Sequence, residues 1–234
     1  MAIIVIPARL KSSRLEEKLL QDVNGKPLIQ RTYENVLKSG FKIIIATDDE
    51  KILKVCEKFN AQVCLTSNTH QSGTTRISEV IEKMNIVDDE IIINVQGDEP
   101  LLPSELINQV VNCLGNSDIA TLKEQIFGED IFNENCVKVV TDKNNNALYF
   151  SRASIPFQRE KIEIFKHIGL YAYRVKTIKK IVKLPMSELE NVEKLEQLTP
   201  LYNGFKIKVE TAIKPSGIGI DTIEDLQKLK EILK

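Results

Sequence analysis

Four cations, Arg9, Lys11, Arg14 and Lys18, fall within ten residues directly after the apolar run Ile3-Ile4-Val5-Ile6, with Ser12 and Ser13 between them. Guanidinium and ammonium groups at the end of a strand suit an anion with several oxygens, and a polyphosphate is such an anion. A second stretch, Asn94-Val-Gln-Gly-Asp-Glu-Pro100, supplies the complement. Its Asp98 offers hard oxygen of the kind Mg²⁺ takes. A nucleoside triphosphate carrying Mg²⁺ would occupy both stretches at once. Taken singly, each has a plainer reading: a charge run is usually a solvated face, and acidic loop residues are common.

Whether the two stretches meet depends on the elements that carry them. Short apolar runs at 2–6, 43–47, 62–65 and 91–95 predict strands. Between and after them, Ile52, Leu53, Cys56 and Phe59 recur at helical spacing, as do Ile77, Val80, Ile81 and Met84, and Leu106, Val110, Val111 and Leu114. Pro27 stands where another helix would begin and Gly40 where it would end. This alternation predicts an α/β fold with a mostly parallel sheet flanked by helices. Ligands of such sheets bind beyond the carboxyl ends of the strands, where strand order reverses. With order 3-2-1-4, the loops after strands one and four are neighbours there.

The second half reads differently. Val137–Thr141 and Ala147–Phe150 flank the turn-rich stretch 142–146 and predict a hairpin. A strand follows at 168–173, then helices near 175–182 and 190–203, a strand at 206–212 and a closing helix at 222–233. No linker separates independent domains. The 32 basic and 33 acidic residues leave a net charge of −1, without the basic excess that a nucleic-acid or membrane-surface partner calls for. The four cysteines, at 56, 64, 113 and 136, show no C-x-x-C pair and read as free thiols in a reducing compartment. With no leader segment and no apolar run long enough to span a bilayer, a cytoplasmic, soluble protein is expected.

The motifs, taken in order, resemble the 3-deoxy-manno-octulosonate (Kdo) cytidylyltransferase family nearly end to end. The segments that carry the resemblance are IPARLKSSRL at 6–15, GKPLI at 25–29, IIIATDDE at 43–50, CLTSNTHQSGTTR at 64–76, INVQGDEPLLP at 93–103, ALYFSRASIPF at 147–157, HIGLYAYR at 167–174, LENVEKLEQL at 189–198 and GIDTIEDL at 219–226. The resemblance implies the nucleotide-diphosphosugar transferase type of α/β sandwich, and transfer of CMP from CTP to the anomeric hydroxyl of Kdo with release of pyrophosphate. The product would be the activated sugar for lipopolysaccharide inner-core synthesis. The resemblance also implies a homodimer, and a single domain in three parts: a nucleotide-binding half over about 1–125, a sugar-binding and dimerisation lobe over about 126–205, and a metal loop with closing helix over about 206–234.

Residue by residue, the resemblance places Arg9 and Lys18 on the triphosphate and Asp98 with Asp221 on Mg²⁺; Arg9, Lys18 and Asp98 form the catalytic set. The strand-one loop near Ala8, with Ser72-Gly73-Thr74 and Arg76, would hold cytosine. Gln96 would stand between nucleotide and sugar, and Arg152, His167, Glu196 and Gln197 would bind the sugar. Each has a structural alternative. His167 at a strand start suits an ordinary half-buried histidine, Glu196 and Gln197 the solvated face of a helix, Asp221 the cap of the last helix, and Arg152 a structural ion pair. Tyr149, Phe150, Phe157 and Tyr171 read as core or interface packing. Two positions depart from the family pattern: Leu19 where the family has proline after the lysine, and Thr75 where an acid normally follows the SGT segment. Other functions to weigh are a cytidylyltransferase for a related acid sugar, such as an amino-Kdo analogue or a sialic-acid-like one, a glycosyltransferase, and a non-catalytic nucleotide sensor. The stretch Gly97-Asp98-Glu99-Pro100 lacks the D-x-D pattern of the glycosyltransferase.

Overall fold

The structure, a computed structural model, describes residues 2–12 and 14–234. In chain order its elements are β1 (Ala2–Ala8), the short pair β2 (Asp22–Val23) and β3 (Lys26–Pro27), α1 (Leu28–Leu37), β4 (Lys42–Thr47), α2 (Glu50–Glu57), β5 (Val63–Leu65), α3 (Gly73–Lys83), β6 (Ile91–Asn94), α4 (Ser104–Leu114) and β7 (Ile119–Ile126). Then come β8 (Lys138–Thr141), β9 (Ala147–Ser151), β10 (Ile164–Arg174), α5 (Val175–Ile181), α6 (Glu188–Glu193), α7 (Leu198–Tyr202), β11 (Ile207–Thr211) and α8 (Ile223–Ile232). No helix of the described residues is long and apolar enough to cross a membrane.

The main sheet runs β11-β7-β10-β6-β1-β4-β5. Its last four strands pair in parallel, in the expected 3-2-1-4 order. β10 alone is inserted antiparallel, between β6 and β7, and the β8–β9 hairpin attaches to it. Consecutive residues of β1 enter opposite cores: Ile4 and Ile6 pack with Ile29 and Leu106 on one face, Ile3 and Val5 with Ile77 and Ile178 on the other. A sheet covered on both faces needs the continuous apolar run that this strand has.

β1 continues through Pro7 to Ala8, beyond the expected end at residue 6. The Val5 carbonyl faces β6 and accepts from Val95 N–H at 3.2 Å. Pro7, two residues on, faces the same side, where pairing with β6 has already ended at Val5 and Asn94. Its missing N–H therefore leaves no ladder partner unsatisfied.

Two further differences bear on function. β7 lies where no strand was expected, because Ile119, Ala120, Thr121 and Leu122 are all buried and the segment lacks the alternation that marks a one-sided strand. The expected helix 190–203 is broken: Lys194 caps α6 in the left-handed region at φ 54°, and Glu196 and Gln197 occupy the break before α7 instead of a helix face.

Candidate active site

The loops after β1 and β6 do meet at the carboxyl ends of their strands. After β1 the chain passes through a left-handed Glu17 (φ 44°) into a single 3-10 turn that begins at Lys18. The Lys18 ammonium is held between two carboxylates, pairing closely with Asp98 and lying 2.9 Å from Asp221 Oδ1. Arg14 Nη2 reaches Asp221 Oδ2 at 3.0 Å. Burial works against the Lys18 charge, but Asp98 and Asp221 outweigh it and hold the ammonium above its ordinary range. Arg9, exposed, lines the same cleft.

Asp221 arrives from 123 residues further along the chain than Asp98, and its position has a local cause. The Ile220 N–H donates to the Asp98 carbonyl at 2.9 Å. Gly217, at φ +84°, lies so close to the 98–101 loop that a Cβ there would meet Leu101 O at 2.9 Å. Asp221 does not cap α8; Thr222 does, in a capping box with Asp225. The two carboxylates thus converge on the place of one cation, here the Lys18 ammonium. They fit Mg²⁺, which is commonly held by one or two carboxylates together with substrate phosphates. No group of three or more His, Cys, Asp or Glu side chains placed to hold a metal ion is found among the described residues, so substrate oxygens and water would have to complete the shell of such an ion.

The cleft, about 510 Å³, is closed on its far side by the start of α3. Ser72 caps that helix, accepting from Thr75 N–H at 3.2 Å, and Gly73 lies against Pro7. Ala8, fully buried, ends β1 between Pro7 and Arg9, both of which line the cleft. Thr74 is buried, its N–H donating to Glu196 Oε1 at 3.2 Å. Arg76 borders the cleft, yet its guanidinium is committed to Asp48 Oδ2 at 2.8 Å, Thr66 Oγ1 at 2.6 Å and the Ser67 carbonyl at 3.4 Å. His70 lines the cleft as well, its Nε2 lying 2.5 Å from Glu79.

A second cavity of about 220 Å³ opens beside the first, and Gln96 and Glu196 border both. His167, Tyr171, Tyr173 and Gln197 line it. Burial pushes the His167 imidazole down to about 3, so it is neutral at ordinary pH. The Tyr171 hydroxyl is buried and has no hydrogen-bond partner among the described residues. Glu99 presents a similarly sealed and unpartnered Oε2, and burial, reinforced by Asp98 and Asp221, pushes its carboxyl up to about 8. Arg152 borders neither cavity. Its guanidinium donates to the carbonyls of Glu193 (2.8 Å) and Glu134 (3.1 Å), so it ties α6 to the loop before β8 instead of joining His167, Glu196 and Gln197.

The cytidylyltransferase family model matches residues 3–208, most of the chain. The chain belongs to the cytidylyltransferase family. Among curated relatives of this cytidylyltransferase, the 3-deoxy-manno-octulosonate cytidylyltransferase of Francisella tularensis subsp. holarctica (strain FTNF002-00 / FTA) is 53% identical, covering 98% of this chain and 97% of its own. The Haemophilus influenzae enzyme of the same name is 47% identical with the same coverage. A solved structure of CMP:2-keto-3-deoxy-manno-octonic acid synthetase complexed with CTP superposes with a TM-score of 0.93 at 37% identity, covering 99% of this chain and 98% of that one.

Both departures of this cytidylyltransferase from the family pattern have structural compensations. Leu19 is buried, with both δ carbons 3.3 Å from where a Gly97 Cβ would stand, so packing holds the loop that proline would otherwise preset. Thr75 folds back on the Ser72 carbonyl at 3.1 Å, and Arg76 needs no acid there because Asp48 holds it from the loop after β4. Asp48, His70 and Thr121 were missed as site-building residues. The first two lie inside the motif segments IIIATDDE and CLTSNTHQSGTTR, whereas Thr121 lies on the unforeseen β7 and has no motif to flag it.

Proposed function

We propose that the chain transfers CMP from CTP to the anomeric hydroxyl of Kdo, releasing pyrophosphate and giving the activated sugar for lipopolysaccharide inner-core synthesis. The observation that carries this reading is the pair of adjoining cavities: a charged cleft lined by Arg9, Lys18 and Asp98, with Asp221 paired to Lys18, and a smaller cavity with a neutral His167, both bordered by Gln96 and Glu196. The relatives named for this reaction, and a neighbour titled as complexed with CTP, support it.

In this reading Arg9 and Lys18 bind and neutralise the triphosphate, since such transfer depends on positioning and on charge neutralisation. Asp98 and Asp221 would hold Mg²⁺. When bound, that ion supplies polarisation of the phosphate oxygens and a lowered proton affinity of the attacking hydroxyl. The chain's own residues do the rest. Lys18 leaves the two carboxylates for the phosphates, the Ala8 backbone and Ser72-Gly73-Thr74 flank cytosine, and Arg76 stiffens the start of α3 from behind. Gln96, Glu196, Gln197 and His167 orient the sugar, while Arg152 fixes α6 beside it. Lys18 cannot act as a general base while its ammonium is held charged by two carboxylates.

We also read the protein as a cytoplasmic homodimer. The test of function is pyrophosphate release with CTP, Mg²⁺ and Kdo, run against ATP, UTP, amino-Kdo and sialic acid. Turnover with CTP and Kdo is expected. Pyrophosphate from another acid sugar alone would move the assignment to that sugar, and none from any sugar would sink it.

A further inference from the structure

Thr121 sits in β7 where the pairing with β10 slips, between Ile168 and Tyr171. Its side chain is fully buried. Three groups converge on its hydroxyl: the Ile168 carbonyl at 3.0 Å, the Leu170 carbonyl at 2.8 Å and His167 Nε2 at 3.0 Å. A hydroxyl has one hydrogen and two lone pairs, and a carbonyl can only accept. The hydrogen therefore goes to one of the two carbonyls, and toward His167 the oxygen presents a lone pair. A neutral imidazole facing a lone pair must put its own hydrogen there, so Nε2 carries the proton and Nδ1 is bare. Nδ1 has no hydrogen-bond partner among the described residues, and it is not among their sealed unpartnered side-chain atoms, so it opens on the cavity that His167 lines. The ring of Tyr171, which lines the same cavity, has its centroid 5.1 Å from the imidazole, while its hydroxyl is sealed away.

We propose that Thr121 is a positioning residue that fixes His167 as its Nε2–H tautomer, so that Nδ1 accepts a hydrogen from one hydroxyl of the acid sugar. The sugar part rests on the function proposed above; the tautomer part does not. The site then recognises a group that donates, and an analogue methylated on that hydroxyl is rejected, because Nδ1 has no hydrogen to offer and is left unpaired.

The experiment uses the full chain with ¹⁵N-labelled histidine. The chain has two histidines, His70 and His167, so the imidazole spectrum is assigned with H167Q. In the wild type the His167 shifts are expected to report a protonated Nε2 and a bare Nδ1. Thr121→Val, close in shape but without the hydroxyl, is expected to give a mixture of tautomers and to raise KM for the sugar roughly tenfold, the worth of one hydrogen bond, with KM for CTP unchanged. Thr121→Ser is expected to restore both the shifts and the sugar KM. A general loss of packing would move both KM values together. A wild-type His167 protonated on Nδ1 overturns the inference, as does a Thr121→Val enzyme with unaltered shifts and sugar KM. Should Thr121→Val not fold, the wild-type and Thr121→Ser spectra still decide the tautomer. If the tautomer is as expected but the wild type turns over no acid sugar, the proposed function fails, and the sugar half of the inference with it.

Discussion

At the scale of single residues, the site is defined by one ammonium shared between two carboxylates. Removing charge from Asp98 while keeping its size isolates that arrangement. Asp98→Asn is expected to lower kcat by roughly a hundredfold or more, with a circular-dichroism melt close to wild type, because Asp221 still partners Lys18. Near-normal turnover would show that the carboxylate pair is not the metal site. A second residue-scale expectation concerns Glu79, which faces His70, Lys83 and the Ser67 N–H. Burial raises its carboxyl, but those three partners outweigh burial and bring it down to about 2, from an ordinary value of 4.5. A depressed carboxylate contributes stability that is complete above its unfolded value, and loses it as pH falls from about 4.5 through about 2. Wild-type protein should therefore lose on the order of 2 kcal/mol more than Glu79→Gln across that window in urea titrations; parallel losses would refute the assignment. Lys18, Asp98 and Asp221 could be read from the sequence because the motifs that carry them keep their order and spacing. The partners of Arg76 could not: Asp48 is 28 positions away on another strand's loop, and a pairing across strands leaves no local pattern.

At the scale of elements, helical spacing and continuous apolar runs exposed the segments that have them and hid those that have neither. The four parallel strands and the helices between them follow from apolar runs and helical spacing. β7 escaped because its buried first half includes Ala120 and Thr121 and runs straight into Lys123, Glu124 and Gln125, so it shows neither a continuous apolar run nor alternation. The break between α6 and α7 escaped because a left-handed lysine, Lys194, gives no warning of the kind a glycine would. That break matters, since it turns Glu196 toward Thr74 and lets one carboxylate border both cavities. The segment before α8 is positioned by contact of a different kind. With Gly217 at φ +84° and 2.9 Å of clearance to Leu101 O for a Cβ, Gly217→Ala must push residues 217–221 off the 98–101 loop. Stability is expected to fall by about 1–3 kcal/mol, and the Mg²⁺ concentration for half-maximal rate to rise, because Asp221 moves away from Asp98. Isothermal titration of Mg²⁺ into the nucleotide complex would check the second point without turnover, and an unchanged affinity would mean that the loop is not what places Asp221.

At the scale of the whole molecule, apolar exposure is uneven. Of the large hydrophobic side chains left in solvent, Phe127, Phe132, Leu148, Phe157, Ile162, Met186, Leu189, Val192 and Tyr202 all fall between 126 and 205, against six among the rest of the described residues. Phe132 is 79% exposed and Phe157 86%. Scattered exposed apolar residues need no explanation, but their concentration in one stretch of chain does. Met186 lines the charged cleft, whereas the other eight, on loops, on β9 and on α6 and α7, border neither cavity. The occupant we propose for this face is a second copy of the chain, which would bury it and hold the sugar-side elements α6 and β9 in place. Sedimentation at micromolar concentration is expected to give a dimer, and Phe132→Glu with Phe157→Glu a monomer. That monomer should retain CTP binding, since neither Phe132 nor Phe157 lines the charged cleft. Its sugar KM should rise, because β9, which carries the exposed Leu148, is tied at its end through Ser151 and Arg152 to Glu193 of α6. A wild-type monomer, or a dimer indifferent to both substitutions, would place the contact elsewhere and leave this apolar face without a partner.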